Sequence, residues 1–253
     1  MNGSGFTEGG KISMSIYTNK ISVVLITYNS EKYLDRVLSS CSFADEIVIL
    51  DSFSKDSTLE IARKYGAKIF QKEWMGFGRQ KQEAVRLASN DWIFSLDSDE
   101  VITDKLAKEL EEVLKKPEFY AYFVPRLNYF FGKPVRYGGL YPDFTIRLFN
   151  RNYSKFSDDE VHEKVIVENN KISYLKNHML HFAYENVEEF IAKQNRYSSL
   201  NAKPNRLKAI LNPFWTFFRM YILKSGFLDG WRGFIVAKLY SEYTFWKYIK
   251  KSF

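Results

Sequence analysis

The sequence predicts an α/β fold in which a mixed, mainly parallel sheet is flanked by helices. Two observations support this prediction. Strands alternate with helical patterns through the first hundred residues, and these strands are apolar at nearly every position instead of at every second one. Continuous apolar strands are typical of a parallel sheet that is buried on both faces. Open α/β folds bind their ligands at the carboxyl ends of such strands.

Each element is predicted from its own pattern. The first two strands are runs of Val, Ile and Leu, the later ones are shorter or contain aromatic residues, and the helices carry apolar residues at helical spacing. The ends of three strands, at Thr27, Asp51 and Asp97, are expected to fall along one edge of the sheet. In chain order we predict a strand over 21–27, a helix over 31–41, a strand over 46–50, a helix that stops at Gly66, strands over 68–70 and 91–96, a strand over 120–126, a hairpin or loop over 128–134, and a helix over 187–202.

The most informative segment is 91–100, where an apolar strand runs into Asp97 and Asp99 with one serine between them. Carboxylate oxygens suit Mg²⁺ or Mn²⁺, which bind one or two protein carboxylates together with substrate phosphates. A solvated acidic turn has the same short pattern. The preceding strands place this pair at the ligand-binding edge, so the segment predicts a site for a metal ion and a diphosphate.

Length and cysteine content fit one large α/β domain with a small appendage. The chain has 253 residues and one cysteine, Cys41, which lies in the first predicted helix and is expected in the core. A fold held by disulfides is excluded, because one cysteine forms no intramolecular bridge. Residues 1–19 lack a basic start and an apolar run, so we expect a disordered leader or tag and not a signal peptide.

Positive charge is concentrated in residues 203–253, which hold ten Lys or Arg and two acids, a net charge of +8. The whole chain has a net charge of +7, so the other residues together carry −1. This segment is also rich in aromatic residues, yet its apolar runs are shorter than the roughly twenty residues of a membrane span. Val236, Leu239, Tyr240, Tyr243 and Trp246 share one helical face. We expect this face to lie on an anionic membrane surface, with nearby lysines reaching the headgroups.

Two alternatives apply to the same aromatic face. It packs on the rest of the chain, or it packs on a second subunit in a homodimer. A nucleic-acid partner is disfavoured, although basic and aromatic residues alternate here, because the sequence has no recognisable nucleic-acid-binding motif.

Six segments together resemble the family 2 glycosyltransferases of the GT-A fold. The resemblance is closer to the bacterial subgroup that adds a sugar, often β-linked glucose, to the inner core of lipopolysaccharide or lipooligosaccharide. The likeness covers about residues 21–235, and the segments that carry it are 23–29 (VVLITYN), 44–58 (ADEIVILDSFSKDST), 74–82 (WMGFGRQKQ), 91–100 (DWIFSLDSDE), 161–165 (VHEKV) and 226–230 (GFLDG).

This resemblance implies a domain organisation. We expect a GT-A catalytic domain over 20–202, with a nucleotide-binding half over 20–100 and an acceptor half over 101–202. Residues 203–253 would form a basic, aromatic, helical C-terminal extension.

The resemblance also implies roles for residues at the donor side. Thr27, Tyr28 and Asn29 would line a uracil pocket in which Tyr28 offers a stacking face, and Asp51 would accept the uracil N–H. Lys81 occupies a position where relatives often carry an arginine near the nucleotide. A lysine keeps the charge but lacks the bidentate fork. A solvated helix face is the alternative for Lys81.

Metal binding is expected from three residues. Asp99 would hold Mg²⁺ or Mn²⁺, and Asp97 would bind the metal or the ribose of the donor. His181 is a candidate third ligand, because some GT-A enzymes complete this site with a later histidine. A histidine between apolar residues also fits a hydrogen-bonded core position.

The acceptor hydroxyl must lose a proton, which requires a carboxylate or an imidazole nearby. Segment 157–163 supplies five ionisable candidates, and the resemblance favours its last two, His162 and Glu163. Glu163 is the predicted base and Asp159 the alternative. Strand alternation would place His162 and Glu163 on opposite faces. Further residues are expected to shape the acceptor cleft: Arg136, residues 138–142 and Arg147.

These expectations together describe an inverting, metal-dependent enzyme at the inner face of the cytoplasmic membrane. It would move glucose from UDP-glucose to a lipid-linked core oligosaccharide. The alternatives are an inactive GT-A scaffold on the membrane surface and a transferase for another lipid-linked or protein-linked glycan. A processive polysaccharide synthase is disfavoured, since the sequence has neither membrane spans nor the Gln-x-x-Arg-Trp signature.

Overall fold

The first part of the chain alternates strands and helices, as the sequence predicts. The computed structural model describes residues 19–157 and 163–251. Helix boundaries differ from the predicted ones by one or two residues, and the first helix ends at Ser39. The elements are β1 (Ile21–Thr27), α1 (Glu31–Ser39), β2 (Glu46–Asp51), α2 (Thr58–Lys64), β3 (Lys68–Gln71), α3 (Phe77–Leu87) and β4 (Trp92–Ser95).

The second part extends the same sheet with both antiparallel and parallel strands. A two-stranded β9–β10 ribbon lies beside it, and the hairpin predicted over 128–134 is formed by β6 and β7. These elements are β5 (Glu100–Ile102), α4 (Asp104–Lys115), β6 (Ala121–Phe130), β7 (Lys133–Pro134), β8 (Asp143–Asn150), β9 (Ser154–Phe156), β10 (Val165–Val167), β11 (Ile172–Tyr174), β12 (Met179–Tyr184) and α5 (Val187–Leu200).

The main sheet is mixed and mainly parallel at its nucleotide-side half. Its order is β3-β2-β1-β4-β8-β6-β12-β5. Strands β1, β2, β3 and β4 pair in parallel, whereas β8 is antiparallel to both β4 and β6. Strand β8 therefore joins the two halves of the molecule and brings residues about fifty positions apart into register.

Helices cover the sheet on both faces. On one face Leu34 and Val37 of α1 pack with Leu106 and Leu110 of α4 against alternate residues of β1 and β4. On the other face α3 packs its Ala84 and Val85 against β1 and β2. Cys41 is buried in the first of these clusters, as predicted.

Residues after 203 form two packed helices joined by irregular turns. The segments are α6 (Arg206–Phe218), a π-helical turn over Arg219–Leu223, a 3-10 turn over Gly226–Asp229, and α7 (Gly230–Ile249). The 3-10 turn lies very close to α7 where Gly226 meets Gly233. A Cβ added at Gly233 would lie 1.9 Å from the Gly226 carbonyl oxygen, so only glycine fits at Gly233. Across the described residues, no helix combines the length and apolar character of a transmembrane span.

The expectation that the Val236 face of α7 lies on a membrane is wrong. Val236 and Leu239 are buried, and the Tyr240 ring packs edge-on against Phe190 of α5. The same cluster contains Phe130 of β6. The aromatic face therefore packs on the preceding domain, which is one of the two alternatives, because α5 and β6 offer it an apolar surface.

Candidate functional site

The carboxyl ends of β1, β2 and β4 meet at one edge of the sheet, as predicted. Thr27 and Asp51 are direct register partners, and Thr27 Oγ1 donates to Asp51 Oδ1 over 2.9 Å. Leu96, which follows β4, donates its N–H to the Val24 carbonyl of β1. Parallel pairing thus brings Thr27, Asp51 and the acids after β4 to one ligand-binding edge.

Asp51 is fully buried and accepts hydrogen bonds from its own chain. The donors are the Thr27 hydroxyl, the N–H and hydroxyl of Ser54, and the Gln71 side-chain amide. A carboxylate has about four acceptor positions. A uracil N–H, expected to reach Asp51, would therefore have to replace one of these donors.

The turn after β1 presents an exposed aromatic ring. Tyr28 is 60% exposed, so its face is free to stack on a planar base. Asn29 adopts a left-handed backbone conformation with φ 47°. Its N–H donates to Ser54 Oγ over 2.9 Å, and its Oδ1 accepts from the Lys55 N–H over 2.9 Å. Asn29 thereby fixes the loop after β1 against the loop after β2.

Asp97 is held by two cations. Its Oδ1 lies 2.9 Å from Lys81 Nζ, and its Oδ2 pairs with Arg147 Nη2. Burial alone would raise the pKa of Asp97, but Arg147 and Lys81 outweigh it and hold that pKa well below its usual range. The alternative of a solvated Lys81 is wrong, because its side chain is only 7% exposed.

Lys81 links Asp97 to the predicted base. Its Nζ also lies 2.7 Å from Glu163 Oε1. Burial and Arg147 act to lower the pKa of Lys81, yet Asp97 and Glu163 outweigh them and raise it. The structure thus brings Glu163 to the edge that carries the two acids. The other two candidates, Asp159 and His162, lie outside the described residues.

Asp99 faces His181 across the end of the sheet. His181 Nε2 lies 3.6 Å from Asp99 Oδ2, and His181 Nδ1 lies 2.7 Å from Asn128 Oδ1. Residue 181 of β12 is the register partner of residue 128 of β6 and of Glu100 of β5. Three neighbouring strands therefore fix the position of the imidazole.

The hydrogen bonds of Asn128 determine the tautomer of His181. The Asn128 amide NH₂ donates to the Leu140 carbonyl and to Asp143, which both accept. Its oxygen must therefore face His181 and accept the Nδ1–H. In the neutral imidazole the lone pair of Nε2 then points toward the Asp99 carboxylate. A carboxylate and an imidazole nitrogen that face each other are suited to bind a cation between them.

The charge of this edge also favours a cation. Within the described residues, the ion-pair network around Asp97 and Asp99 joins five carboxylates (Asp97, Asp99, Glu100, Asp143 and Glu163) to three cations (Lys81, Arg126 and Arg147), a net charge of −2.

The donor set fits a divalent ion that is also bound by a ligand. Within residues 19–157 and 163–251, no group of three His, Cys, Asp or Glu side chains has the arrangement of a closed metal site. Mg²⁺ and similar ions commonly use one or two protein ligands and take the rest from phosphates and water. Asp99 and His181 present a carboxylate oxygen and an imidazole nitrogen 3.6 Å apart, and the bond from Nδ1 to Asn128 is of the orienting kind that metal-bound histidines usually make.

Two residues of this site were not predicted as such from the sequence. Arg147 was expected in the acceptor cleft but is buried between Asp97 and Glu100, 2.6 Å from Glu100 Oε1. Asn128 was expected in a hairpin and not as a partner of His181. No local pattern identifies them, because β8 and β6 reach β4, β5 and β12 only through the topology of the sheet.

The chain is similar to known glycosyltransferases. The family model described as Glycosyl transferase family 2 matches residues 22–167, more than half of the chain. The lipopolysaccharide core biosynthesis glycosyltransferase LpsC of Rhizobium meliloti (strain 1021) is 30% identical over 240 residues, which cover 89% of each chain. An uncharacterized glycosyltransferase of Rickettsia bellii (strain RML369-C) is 28% identical and covers 93% of this chain and 87% of its own.

Solved structures are also similar to it. Staphylococcus aureus TarS 1–349 in complex with UDP-GlcNAc is 20% identical, with a TM-score of 0.48 over 86% of this chain and 79% of its own. Glucosyl-3-phosphoglycerate synthase from Mycobacterium tuberculosis, crystallised with Mg²⁺ and UDP, is 25% identical, with a TM-score of 0.37 over 44% of each chain.

Proposed function

The chain belongs to glycosyl transferase family 2 and has its GT-A fold, and we propose that it transfers glucose from UDP-glucose, with inversion, to an inner-core oligosaccharide of lipopolysaccharide or lipooligosaccharide. The single observation that carries this proposal is the Asp99–His181 pair, in which a carboxylate and an imidazole lone pair face each other at the nucleotide edge. The name of the LpsC relative, which is similar over nearly its whole length, supports the choice of acceptor.

The donor nucleotide binds at the ends of β1 and β2 in this proposal. The exposed ring of Tyr28 stacks on uracil, and Thr27 and Asn29 shape the pocket beside it. Asp51 holds the two loops together and exchanges one of its internal hydrogen bonds for the uracil N–H.

Asp99 and His181 would hold Mg²⁺ or Mn²⁺. When bound, it would stabilise the negative charge that develops on the leaving diphosphate. Asp97 keeps its two cations in place, and through them it orients Glu163 and Glu100. A role for Asp97 at the ribose is part of the same proposal.

Glu163 acts as the base. The acceptor oxygen forms a bond to the anomeric carbon while the bond from that carbon to the diphosphate oxygen breaks, and UDP leaves with that electron pair. The acceptor proton passes to the Glu163 carboxylate. Direct attack from the side opposite the leaving group inverts the configuration. Lys81, 2.7 Å from Glu163, positions the carboxylate, and Asp159 is the alternative base.

The lipid-linked acceptor places the enzyme at the inner face of the cytoplasmic membrane, where it binds peripherally. The basic C-terminal extension, with a net +8, supports attachment to anionic lipid. The alternative acceptor is another lipid-linked or protein-linked glycan. The alternative partner of the extension is a second copy of the chain in a homodimer.

A transfer screen tests this proposal. The full chain is incubated with each UDP-sugar, Mn²⁺ and extracted, deacylated core oligosaccharide, and the products are measured by mass spectrometry. We expect a gain of one hexose from UDP-glucose, which is abolished by EDTA and by Asp99→Asn. Asp35→Asn is the matched control, since that exposed carboxylate pairs with Lys64 on the surface of α1 and α2.

Calorimetry separates the enzyme from an inactive scaffold. We expect UDP to bind more tightly when Mn²⁺ is present. If UDP binding shows no dependence on Mn²⁺ and no UDP-sugar is consumed, the proposed function is refuted and the scaffold alternative stands.

A further inference from the structure

We propose that the outward face of α6 is a docking surface for an anionic lipid bilayer. This face consists of Leu207, Ile210, Leu211, Phe214, Trp215 and Phe218, here called the α6 ridge. The proposal rests on the proposed function only for the identity of the acceptor, and it names the surface by which the enzyme reaches that acceptor.

The residues of the α6 ridge follow the spacing i, i+3, i+4, i+7, i+8 and i+11, which defines one continuous stripe of a helix. All six are exposed, and Phe214 is the most exposed at 75%. Ordinary surface helices turn such a stripe toward the core. In α6 the apolar stripe instead faces away from the protein, so it requires a partner.

The opposite face of α6 packs on α7 through small and polar side chains and through the Phe217 ring, which meets Phe234 edge-on. Ala209 is buried, and Thr216 Oγ1 and Thr244 Oγ1 are 3.2 Å apart. The Ser241 hydroxyl donates to the Pro213 carbonyl over 2.9 Å. These contacts fix the orientation of the helix. The ridge therefore cannot turn inward without breaking the α6–α7 packing.

The apolar surface continues beyond α6. Leu223, Phe227, Leu228 and Trp231 follow in the connecting turns and at the start of α7, and Trp231 is 73% exposed. Monomeric soluble proteins rarely leave so continuous an apolar patch uncovered. Trp and Phe beside cationic residues are typical of segments that lie in the plane of a membrane interface.

Charge selects an anionic bilayer as the occupant. The segment from 203 to 228 contains no acidic residue, and it has five basic ones: Lys203, Arg206, Lys208, Arg219 and Lys224. Two copies of the chain that met through the ridge would bring these cations against each other. Anionic headgroups would instead neutralise them while the ridge enters the acyl boundary.

The docking surface is directly connected to the loop expected to bind the acceptor. The Gly138 N–H donates to the Lys224 carbonyl over 2.9 Å. The Asp229 carboxylate accepts from the N–H groups of Arg136 and Tyr137, over 3.1 Å and 2.9 Å at Oδ2. A protein docked through the ridge would therefore hold this loop close to the lipid surface.

Vesicle binding by the full chain tests the proposal. Co-sedimentation is measured with phosphatidylcholine vesicles and with vesicles that also contain phosphatidylglycerol. We expect binding to the anionic vesicles, weakened by salt, and quenching of tryptophan fluorescence by brominated lipid. Ile210→Glu and Phe214→Glu should each lower the partition coefficient roughly tenfold or more, since burial of one large apolar side chain is worth at least that factor.

The matched control is Ile166→Glu on β10. Ile166 is 52% exposed, similar to Ile210 at 61%, but it lies on a different part of the molecule. It should bind vesicles as the unchanged protein does. Lys208→Glu and Arg219→Glu should each weaken binding roughly fivefold or more, because each basic residue contributes about 1 kcal/mol at an anionic surface. Thermal melts confirm that all variants are folded.

Three outcomes overturn the proposal. The first is no binding to anionic vesicles, and the second is an equal loss of vesicle binding in Ile166→Glu and Ile210→Glu. The third is a dimer in sedimentation velocity that becomes monomeric with Ile210→Glu while vesicles are not bound. The readout is independent of sugar transfer. Failure of UDP and Mn²⁺ binding with intact vesicle binding would refute the proposed function alone. Transfer to a deacylated acceptor should be unchanged in Ile210→Glu.

Discussion

Asn128→Leu is expected to weaken Mn²⁺ binding although Asn128 is not a metal ligand. The wild-type amide holds His181 with its Nδ1–H bonded and its Nε2 lone pair directed at Asp99. Leucine has a similar volume but no acceptor. The imidazole then lacks a partner for Nδ1–H. It can adopt the tautomer with the proton on Nε2, and the nitrogen that faces Asp99 then has no lone pair to bind a metal.

The magnitude follows from the contact that is lost. One neutral hydrogen bond contributes about 0.5–1.5 kcal/mol net, and each 1.4 kcal/mol is a factor of about ten in affinity. Loss of an orienting partner of a metal ligand typically costs ten- to a hundredfold. Since His181 stays in place through its strand pairing, we expect a loss near the lower end, roughly tenfold.

The assay is calorimetric titration of Mn²⁺ into protein saturated with UDP. His181→Ala should lose more than Asn128→Leu, because a ligand is removed. His178→Ala is the control for a histidine that does not face Asp99.

Two results would contradict this reasoning at different steps. If Asn128→Leu is folded and binds Mn²⁺ with unchanged affinity while His181→Ala does not, the tautomer is not set by Asn128. If His181→Ala also binds normally, His181 is a hydrogen-bonded core residue and not a ligand.

Three further predictions follow from single contacts. Glu163→Gln should lower kcat about a hundredfold or more at unchanged UDP affinity, as loss of a general base does. Steady-state kinetics measure kcat and calorimetry measures UDP affinity, and an unchanged kcat would favour Asp159 as the base. Asp229→Asn should raise the KM for the acceptor roughly fivefold, since charged hydrogen bonds to Arg136 and Tyr137 are weakened, and an equal rise for the UDP-sugar would contradict this role. Burial opposes ionisation of Glu46, yet its hydrogen bonds lower its pKa from 4.5 to about 2, so Glu46→Gln should lose up to about 3 kcal/mol of unfolding free energy at neutral pH. In urea titrations, the difference between the variant and the unchanged protein should shrink from about pH 4.5 to about pH 2. A difference that stays constant over this range would count against the prediction.

The nucleotide-side half of the fold was predictable from local patterns. Strands β1, β2 and β4 are apolar runs, the short β3 is apolar only at Ile69 and Phe70, and each ends at a polar residue. Their parallel pairing and the common edge followed from these patterns. The acids after β4 were found for the same reason. These features depend on nearest neighbours along the chain, which a single sequence records.

The rest of the site depends on long-range pairing. Arg147 reaches Asp97 because β8 inserts between β4 and β6 in antiparallel register. Asn128 and His181 meet because β6 and β12 pair in parallel. Neither pairing has a turn signal or a short loop to predict it. The face of α7 was misassigned for a related reason, since amphipathic periodicity shows that a helix has an apolar face but not what covers it.

The two acids of the C-terminal extension show how it can serve both the site and a lipid surface. Glu242 pairs with Lys238, 3.3 Å away and four residues earlier on α7, and the Asp229 carboxylate is directed at the backbone of the acceptor loop. Both acids are therefore engaged within the protein, and residues 203–228, which include the α6 ridge, contain no acid. In the proposed docking, the extension attracts anionic headgroups at the α6 ridge while Asp229 holds the loop over 136–142. Because both contacts lie on the same helical hairpin, docking would restrict the position of that loop.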